Sequence, residues 1–271
     1  MTANGERRQR TLARAVGLGL AAIAAAALAV LISSPSTSSS HAIQQAPALP
    51  ASPEPALRVP SPVRLRGSVG VAQWASVRYG VSVRASASSR ARIVTRLGSA
   101  TPEGTTNIVL VLRRARDRGG RLWVRVRLPV LPIGSTGWVP RQALGVYGVV
   151  ETHLVIDLER LTATLLRNER PILRAPIGVG RAEWPTPKGE FYIRNMLTRY
   201  RSPFYGPLAF GTSARSSVLT DWPGGGFVGI HGTDAPELLP GRVSHGCIRL
   251  RNQDILELGR LMPVGTPVTI R

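Results

Sequence analysis

A single cysteine, Cys247, stands among 271 residues that include four histidines. Two of those histidines come shortly before it, in Ile230-His231-Gly232-Thr233 and in Ser244-His245-Gly246-Cys247-Ile248-Arg249-Leu250. A thiol is mostly protonated at neutral pH, and the thiolate is the nucleophile. A neighbouring imidazole can take that proton and later return it to a leaving amine. Gly246 would admit a substrate closely and leave backbone N–H groups for an oxyanion. On residue types alone, the set describes a thiol acyltransferase or hydrolase. Two rival readings use the same residues. One is an inert buried thiol. The other is a zinc site of one Cys and two His, although one residue between His245 and Cys247 strains a shared tetrahedral centre. A papain-like order would put Cys before His, whereas both histidines precede Cys247. One cysteine excludes an intrachain disulfide and any site that needs two thiolates. No metal or cofactor is expected.

These stretches resemble the L,D-transpeptidase family with a YkuD-type catalytic domain. Ile177-Gly178-Val179-Gly180 and Thr186-Pro187-Lys188-Gly189-Glu190-Phe191 are similar to that family's Gly-containing strand and its Thr-Pro-x-Gly-x-Phe segment. Leu250-Arg251-Asn252-Gln253-Asp254-Ile255 also fits, so the resemblance covers about residues 150–271. It implies a peptidoglycan stem tetrapeptide as substrate, with Cys247 attacking ahead of the terminal D-alanine to leave a thioester. An amine on a neighbouring stem then resolves the thioester into a cross-link. The resemblance makes His231 the general base and His245 a supporting residue. Backbone N–H groups of Gly246 and Cys247 would form part of the oxyanion hole. Arg249 would pair with a substrate carboxylate, orient the loop, or form a salt bridge within the fold. Ser244 joins the substrate side of the site, although its hydroxyl and that of Thr233 also read as loop-bonding. Some members carry serine after the first histidine. Gly232 stands there in this chain, so a backbone carbonyl or another residue must orient the imidazole. Trp184, Tyr205 and Trp222 could line the cleft or pack in the core. His41 and His153 are not expected to act in catalysis.

The elements that hold these residues read as mainly β. His153 to Leu158 and Leu161 to Leu166 suggest a hairpin across Glu159-Arg160. Ile172 to Val179, Phe191 to Ile193 and Phe227 to Ile230 read as further strands. Asn252 can cap one short helix carrying Ile255, Leu258, Leu261 and Met262 at helical spacing. Pro263 and Gly265 end it before a strand from Thr266 to Ile270. This catalytic domain is expected over residues 149–271.

Residues 63–148 read as a separate domain of short strands. Val77 to Arg84 alternates loosely, and Asn107 to Leu112 is a β-branched run. Asp117-Arg118-Gly119-Gly120 signals a turn. Leu122 to Leu128 alternates apolar residues with Arg, and Gly137-Trp138-Val139 closes the set. Short strands separated by turns suggest a small barrel, and the pattern resembles a bacterial SH3-like domain. That family's domains often bind cell-wall peptides or pack beside a catalytic domain.

Charge is distributed unevenly. The chain carries +20, of which residues 63–148 hold +13 and residues 149–271 hold +4. Arginines on a strand face are ordinarily its solvated side, and an Arg-rich composition could supply the excess without any ligand. An excess of this size otherwise asks for an anionic neighbour. Outside a membrane, wall polymers or lipid headgroups fit better than nucleic acid, which is not expected as a partner.

Residues 1–32 suggest a location in the cell envelope. Arg7, Arg8, Arg10 and Arg14 precede an apolar run from Ala15 to Ile32, which reads as a membrane-targeting segment. Its length favours an uncleaved anchor, while Ser40-His41-Ala42 offers a cleavage site that would release a secreted form. Residues 33–62, half of them Pro or Ser, form an extended linker. A wall-binding protein with an idle catalytic domain, and an L,D-carboxypeptidase, are the alternatives to a transpeptidase.

Overall fold

The computed structural model describes residues 70–198, 202–219 and 226–271. The apolar run, the linker and Trp222 lie outside these residues. No helix among the described residues is long and apolar enough to cross a membrane. They are mainly β, with one α-helix.

The basic segment folds as β1 (Ala72–Val77), β2 (Val81–Arg84), β3 (Ile93–Leu97), β4 (Ile108–Arg116), β5 (Leu122–Arg127), β6 (Thr136–Pro140) and β7 (Leu144–Val150). These form one antiparallel sheet in the order β3-β2-β6-β5-β4-β1-β7. Val83, Val109, Val124, Val126 and Val139 are fully buried in its core. The Asp117 turn forms as expected. Its Oδ1 accepts from the N–H groups of Gly119 and Arg121, and its Oδ2 from Trp123 Nε1 at 2.9 Å. Val77 to Arg84 is not one strand. The exposed residues Arg78 to Gly80 break it, because the Arg78 N–H leaves the ladder for the Ala143 carbonyl.

The second sheet comprises β8 (Thr152–Asp157), β9 (Thr162–Arg167), β10 (Arg170–Pro176), β11 (Gly178–Gly180), β12 (Gly189–Leu197), β13 (Ala209–Arg215), β14 (Phe227–His231), β15 (Gly241–Ser244), β16 (Ile248–Arg249) and β17 (Pro267–Ile270), with α1 (Asn252–Leu261) before the last strand. The order is β10-β9-β8-β17-β12-β13-β14-β16-β11-β15. Leu154, Ile156, Leu165, Ile177, Ile230 and Ile248 are fully buried, and Ile255 and Leu258 dock the helix onto them. Burying each such side chain contributes roughly 1.5–3 kcal/mol.

Three local expectations change. The β8–β9 hairpin closes over four residues rather than two, because Asp157 Oδ1 accepts from the N–H groups of Glu159 and Arg160 and widens the turn. Ile172 to Val179 divides into β10 and β11, far apart in the sheet. Pro176 cannot donate to a ladder, and the buried Ile177 follows it as the chain turns into the core. Asn252 does not cap α1. It is the first residue of the helix, and its Oδ1 instead accepts from the Thr233 N–H at 3.0 Å.

The two sheets lie in one compact unit. Tyr192 on β12 is fully buried and donates its hydroxyl to the Ile108 carbonyl at 3.1 Å. Leu110 packs into the same cluster, with Trp74 against it.

Candidate active site

The reactive residues meet because of strand register. β14 and β16 run parallel, pairing Ile230 with Ile248 and His231 with Arg249. Cys247 immediately precedes β16, so the chain delivers the thiol beside the histidine strand. Along β14, side chains alternate. Val228 and Ile230 enter the core, while Phe227, Gly229 and His231 share the other face. Gly229 lies beside both the thiol and the imidazole. A Cβ built there would lie 3.8 Å from Cys247 Sγ and 3.9 Å from His231 Cδ2. The Gly229 N–H points at Sγ from 3.4 Å.

The loop from Ser244 to Cys247 is braced from both sides. Ser244 Oγ donates to the Cys247 carbonyl at 2.6 Å and accepts from the Gly246 N–H at 3.1 Å. Thr186 Oγ1 donates to the Gly246 carbonyl at 2.8 Å and accepts from the Gly180 N–H at 2.9 Å. Gly246 has φ +111°, a conformation that side chains resist. The Thr-Pro and Gly-containing segments therefore act as one buttress under the nucleophile. The Gly246 N–H, expected at the oxyanion hole, is instead taken by Ser244. In this arrangement Ser244 Oγ bonds within the loop, as its loop-bonding reading expects.

His231 is buried, with 1% of its surface exposed. Its Nδ1 lies 2.6 Å from the Gly232 carbonyl oxygen. A carbonyl only accepts, so Nδ1 carries the proton and Nε2 is the basic nitrogen. The carbonyl replaces the side-chain orienter. A side chain at Gly232 would strike Asn252 Oδ1 and lie 3.0 Å from Gly206 Cα, so serine has no room there. Tyr205 packs edge-on against the imidazole, with ring centres 4.9 Å apart.

Burial dominates the electrostatics. It depresses His231 to about 4, with the Gly232 bond opposing and Arg249 adding to the fall. Burial also raises the Cys247 thiol, against the Gly229 N–H and Arg249, which favour the thiolate. The resting pair is therefore neutral thiol and neutral imidazole.

Arg249 is buried and lines the cleft, with its guanidinium carbon 4.4 Å from the Phe204 ring centre. Among the described residues it forms no ion pair, and its Nε has no hydrogen-bond partner. The salt bridge weighed from sequence is thus not among its described contacts. His245 is exposed on the cleft rim, its ring 4.3 Å from that of Trp184. No three His, Cys, Asp or Glu side chains among the described residues are grouped to hold a metal ion.

The cleft encloses about 470 Å³ including its mouth, and it exposes Phe204, Phe227, His231, His245, Cys247 and Arg249. Phe204 and Phe227 join the lining without belonging to any of the motifs. Phe227's place two and four residues before Gly229 and His231 on one strand was the available signal.

Residues 151–270 match the family model described as the YkuD L,D-transpeptidase catalytic domain. YkuD of Bacillus subtilis, provisionally named an L,D-transpeptidase, is 41% identical over 118 residues, covering 44% of this chain and 65% of that protein. Its Bacillus licheniformis counterpart is 35% identical over 118 residues, covering 44% and 64%. The chain thus spans less than two thirds of either relative. A solved Enterococcus faecium L,D-transpeptidase is 28% identical, over 44% of this chain and 49% of its own, with a TM-score of 0.35. The motif and the cleft both lie within residues 151–270, the stretch that is similar to the YkuD L,D-transpeptidase catalytic domain.

Proposed function

We propose that the protein is a peptidoglycan L,D-transpeptidase working through a thioester on Cys247. The observation that carries this reading is the cleft pairing of Cys247 Sγ, held by the Gly229 N–H, with a His231 whose Nε2 is left basic by the Gly232 carbonyl. His231 Nε2 takes the thiol proton as Sγ attacks the stem carbonyl ahead of the terminal D-alanine. The carbon–nitrogen bond breaks, the imidazolium returns its proton to the departing amine, and the acyl group stays on sulfur. An acceptor amine then attacks the thioester, forming the cross-link and restoring the thiol. The Cys247 N–H supplies an oxyanion donor. Arg249 receives a substrate carboxylate, since it is a buried cation without an ion pair among the described residues. His245 and Trp184 flank the entry to the thiol.

The basic segment, read as an SH3-like domain over residues 63–148, holds the enzyme against anionic wall polymers. Support comes from one row across the sheet. Register pairs Arg84 with Trp138, Trp138 with Arg125, and Arg125 with Arg113. Like charges directly opposite one another are destabilising, and Arg113 and Arg125 are both exposed. An envelope location, membrane-anchored through residues 1–32 or released by cleavage near Ala42, follows from the same reading.

Intact-mass measurement with a tetrapeptide muropeptide tests the chemistry. The wild type is expected to gain the acyl group with loss of D-alanine, and folded Cys247→Ala to gain nothing. An unchanged product yield from that variant would overturn the proposal. With an acceptor stem present, a cross-linked dimer means transfer, whereas a shortened monomer alone means the L,D-carboxypeptidase reading.

A further inference from the structure

The wall of the cleft is held from the other sheet. Between β3 and β4, the loop carrying Glu103 reaches β12. Glu103 Oε2 accepts from Arg194 Nη2 at 2.8 Å and from Asn195 Nδ2 at 3.2 Å. Asn195 also donates to Thr105 Oγ1 at 2.9 Å. Two adjacent strand residues ordinarily point to opposite faces. An irregularity in the β12–β13 register between Ile193 and Asn195 lets both reach the same loop.

Arg194 then continues to the cleft. Its side chain is 1% exposed, and its guanidinium carbon sits 3.8 Å from the centre of the Phe227 ring. The Arg215 guanidinium lies 4.9 Å from the same ring. Phe227 lines the cleft with Cys247 and His231. Arg194 has few other ties, because its Nε and Nη1 are buried with no hydrogen-bond partner. Among the described residues, Glu103 is its only ion-pair partner. The ring is therefore seated on a cation that the first sheet holds in place.

We propose that Glu103 is a positioning residue for the cleft, setting Phe227 through Arg194, so that the first sheet helps to define which acyl donors reach Cys247. Without the carboxylate, a buried guanidinium loses its counter-charge and must turn toward water. Phe227 then loses the surface beneath it, and the wall on which an apolar part of a donor would lie shifts. The thiol and His231 are held separately, by Gly229 and Gly232, and keep their places.

The test compares two alkylating agents on the full-length protein. Iodoacetamide is small and reports the thiol, whereas N-phenylmaleimide must lie against the wall. Glu103→Gln is expected to change the ratio of the two rates by about tenfold, in the range of coupling between contacting groups, with iodoacetamide moving little. Phe227→Leu is expected to change the ratio similarly, and the double variant to add nothing further. The ratio needs no peptide substrate. A companion measurement rests on the acyl-transfer reading: the tetrapeptide KM rises in Glu103→Gln while kcat is kept. Failure of wild type to acylate sinks that reading alone. An unaltered ratio in folded Glu103→Gln, or additive effects in the double variant, would overturn the positioning role. If Glu103→Gln does not fold, Glu103→Asp carries the same comparison, because it keeps the charge and shortens the reach.

Discussion

Cys247 and His231 owe their properties to a few backbone groups. The Gly229 N–H and the Gly232 carbonyl do work that many thiol enzymes assign to side chains. Both reactive groups are neutral at rest, since burial opposes each charge. The depressed His231 also ties stability to pH. An unfolded histidine titrates near 6.5, and this one is lowered to about 4. Between those values the unfolded chain binds the extra proton, so stability is full above pH 6.5 and falls as pH drops toward 4. The loss should approach about 3 kcal/mol, at 1.36 kcal/mol per pH unit of separation. Urea unfolding at pH 7, 5.5 and 4 would measure it. His231→Asn should reduce the slope in that window, leaving the share of His153, which burial also lowers.

At the scale of elements, the nucleophile loop depends on Thr186. Its hydroxyl joins the Gly180 N–H on β11 to the Gly246 carbonyl in the loop. Thr186→Val keeps the shape and removes both bonds, leaving two backbone groups unpaired in a buried place. The expected cost is about 1–3 kcal/mol. Acylation should slow more than the fold weakens, because the loop carrying Cys247 loses its brace. Denaturation midpoints alongside single-turnover acylation would show both; equal activity with lower stability would mean that the buttress does not set loop geometry. The elements also show where sequence patterns reach their limit. The alternation of β14 was legible in Phe227 to Ile230, as was the helical spacing of Ile255 and Leu258. The division of Ile172 to Val179 was not, because strand-forming residues stand on both sides of Pro176 and only the sheet order separates the two halves. Asn252 misled for a related reason: its side chain suits a cap, but Thr233, nineteen residues earlier, offers a competing donor.

For the whole molecule, charge and packing have different roles. The second sheet carries the candidate site, and the first presents a row of arginines outward while gripping Arg194 inward. Replacing Arg113 and Arg125 together by Gln should weaken sedimentation with purified wall sacculi at low salt and flatten its salt dependence. Stability should hold or rise slightly, since the pair removed is repulsive. Undiminished sedimentation would leave the row as ordinary solvated surface. Cutting the first sheet away entirely is a poorer experiment, because it would also expose Tyr192 and Arg194.

The sequence alone supplied the candidate chemistry. A single cysteine with two histidines in a specific order pointed to a candidate nucleophile, a candidate base and the family resemblance, because residue type and local spacing suffice for those. It also located the charge and the mainly β character, which depend on composition and short-range periodicity. Only the tertiary structure decided how the groups are poised. Register between β14 and β16 set His231 beside Arg249, a carbonyl rather than a side chain fixed the tautomer, and Ser244 claimed the N–H expected at the oxyanion hole. The tie from Glu103 to Phe227 belongs to the same class. Each is a contact between residues distant in sequence or a choice between competing hydrogen-bond partners, and local spacing encodes neither.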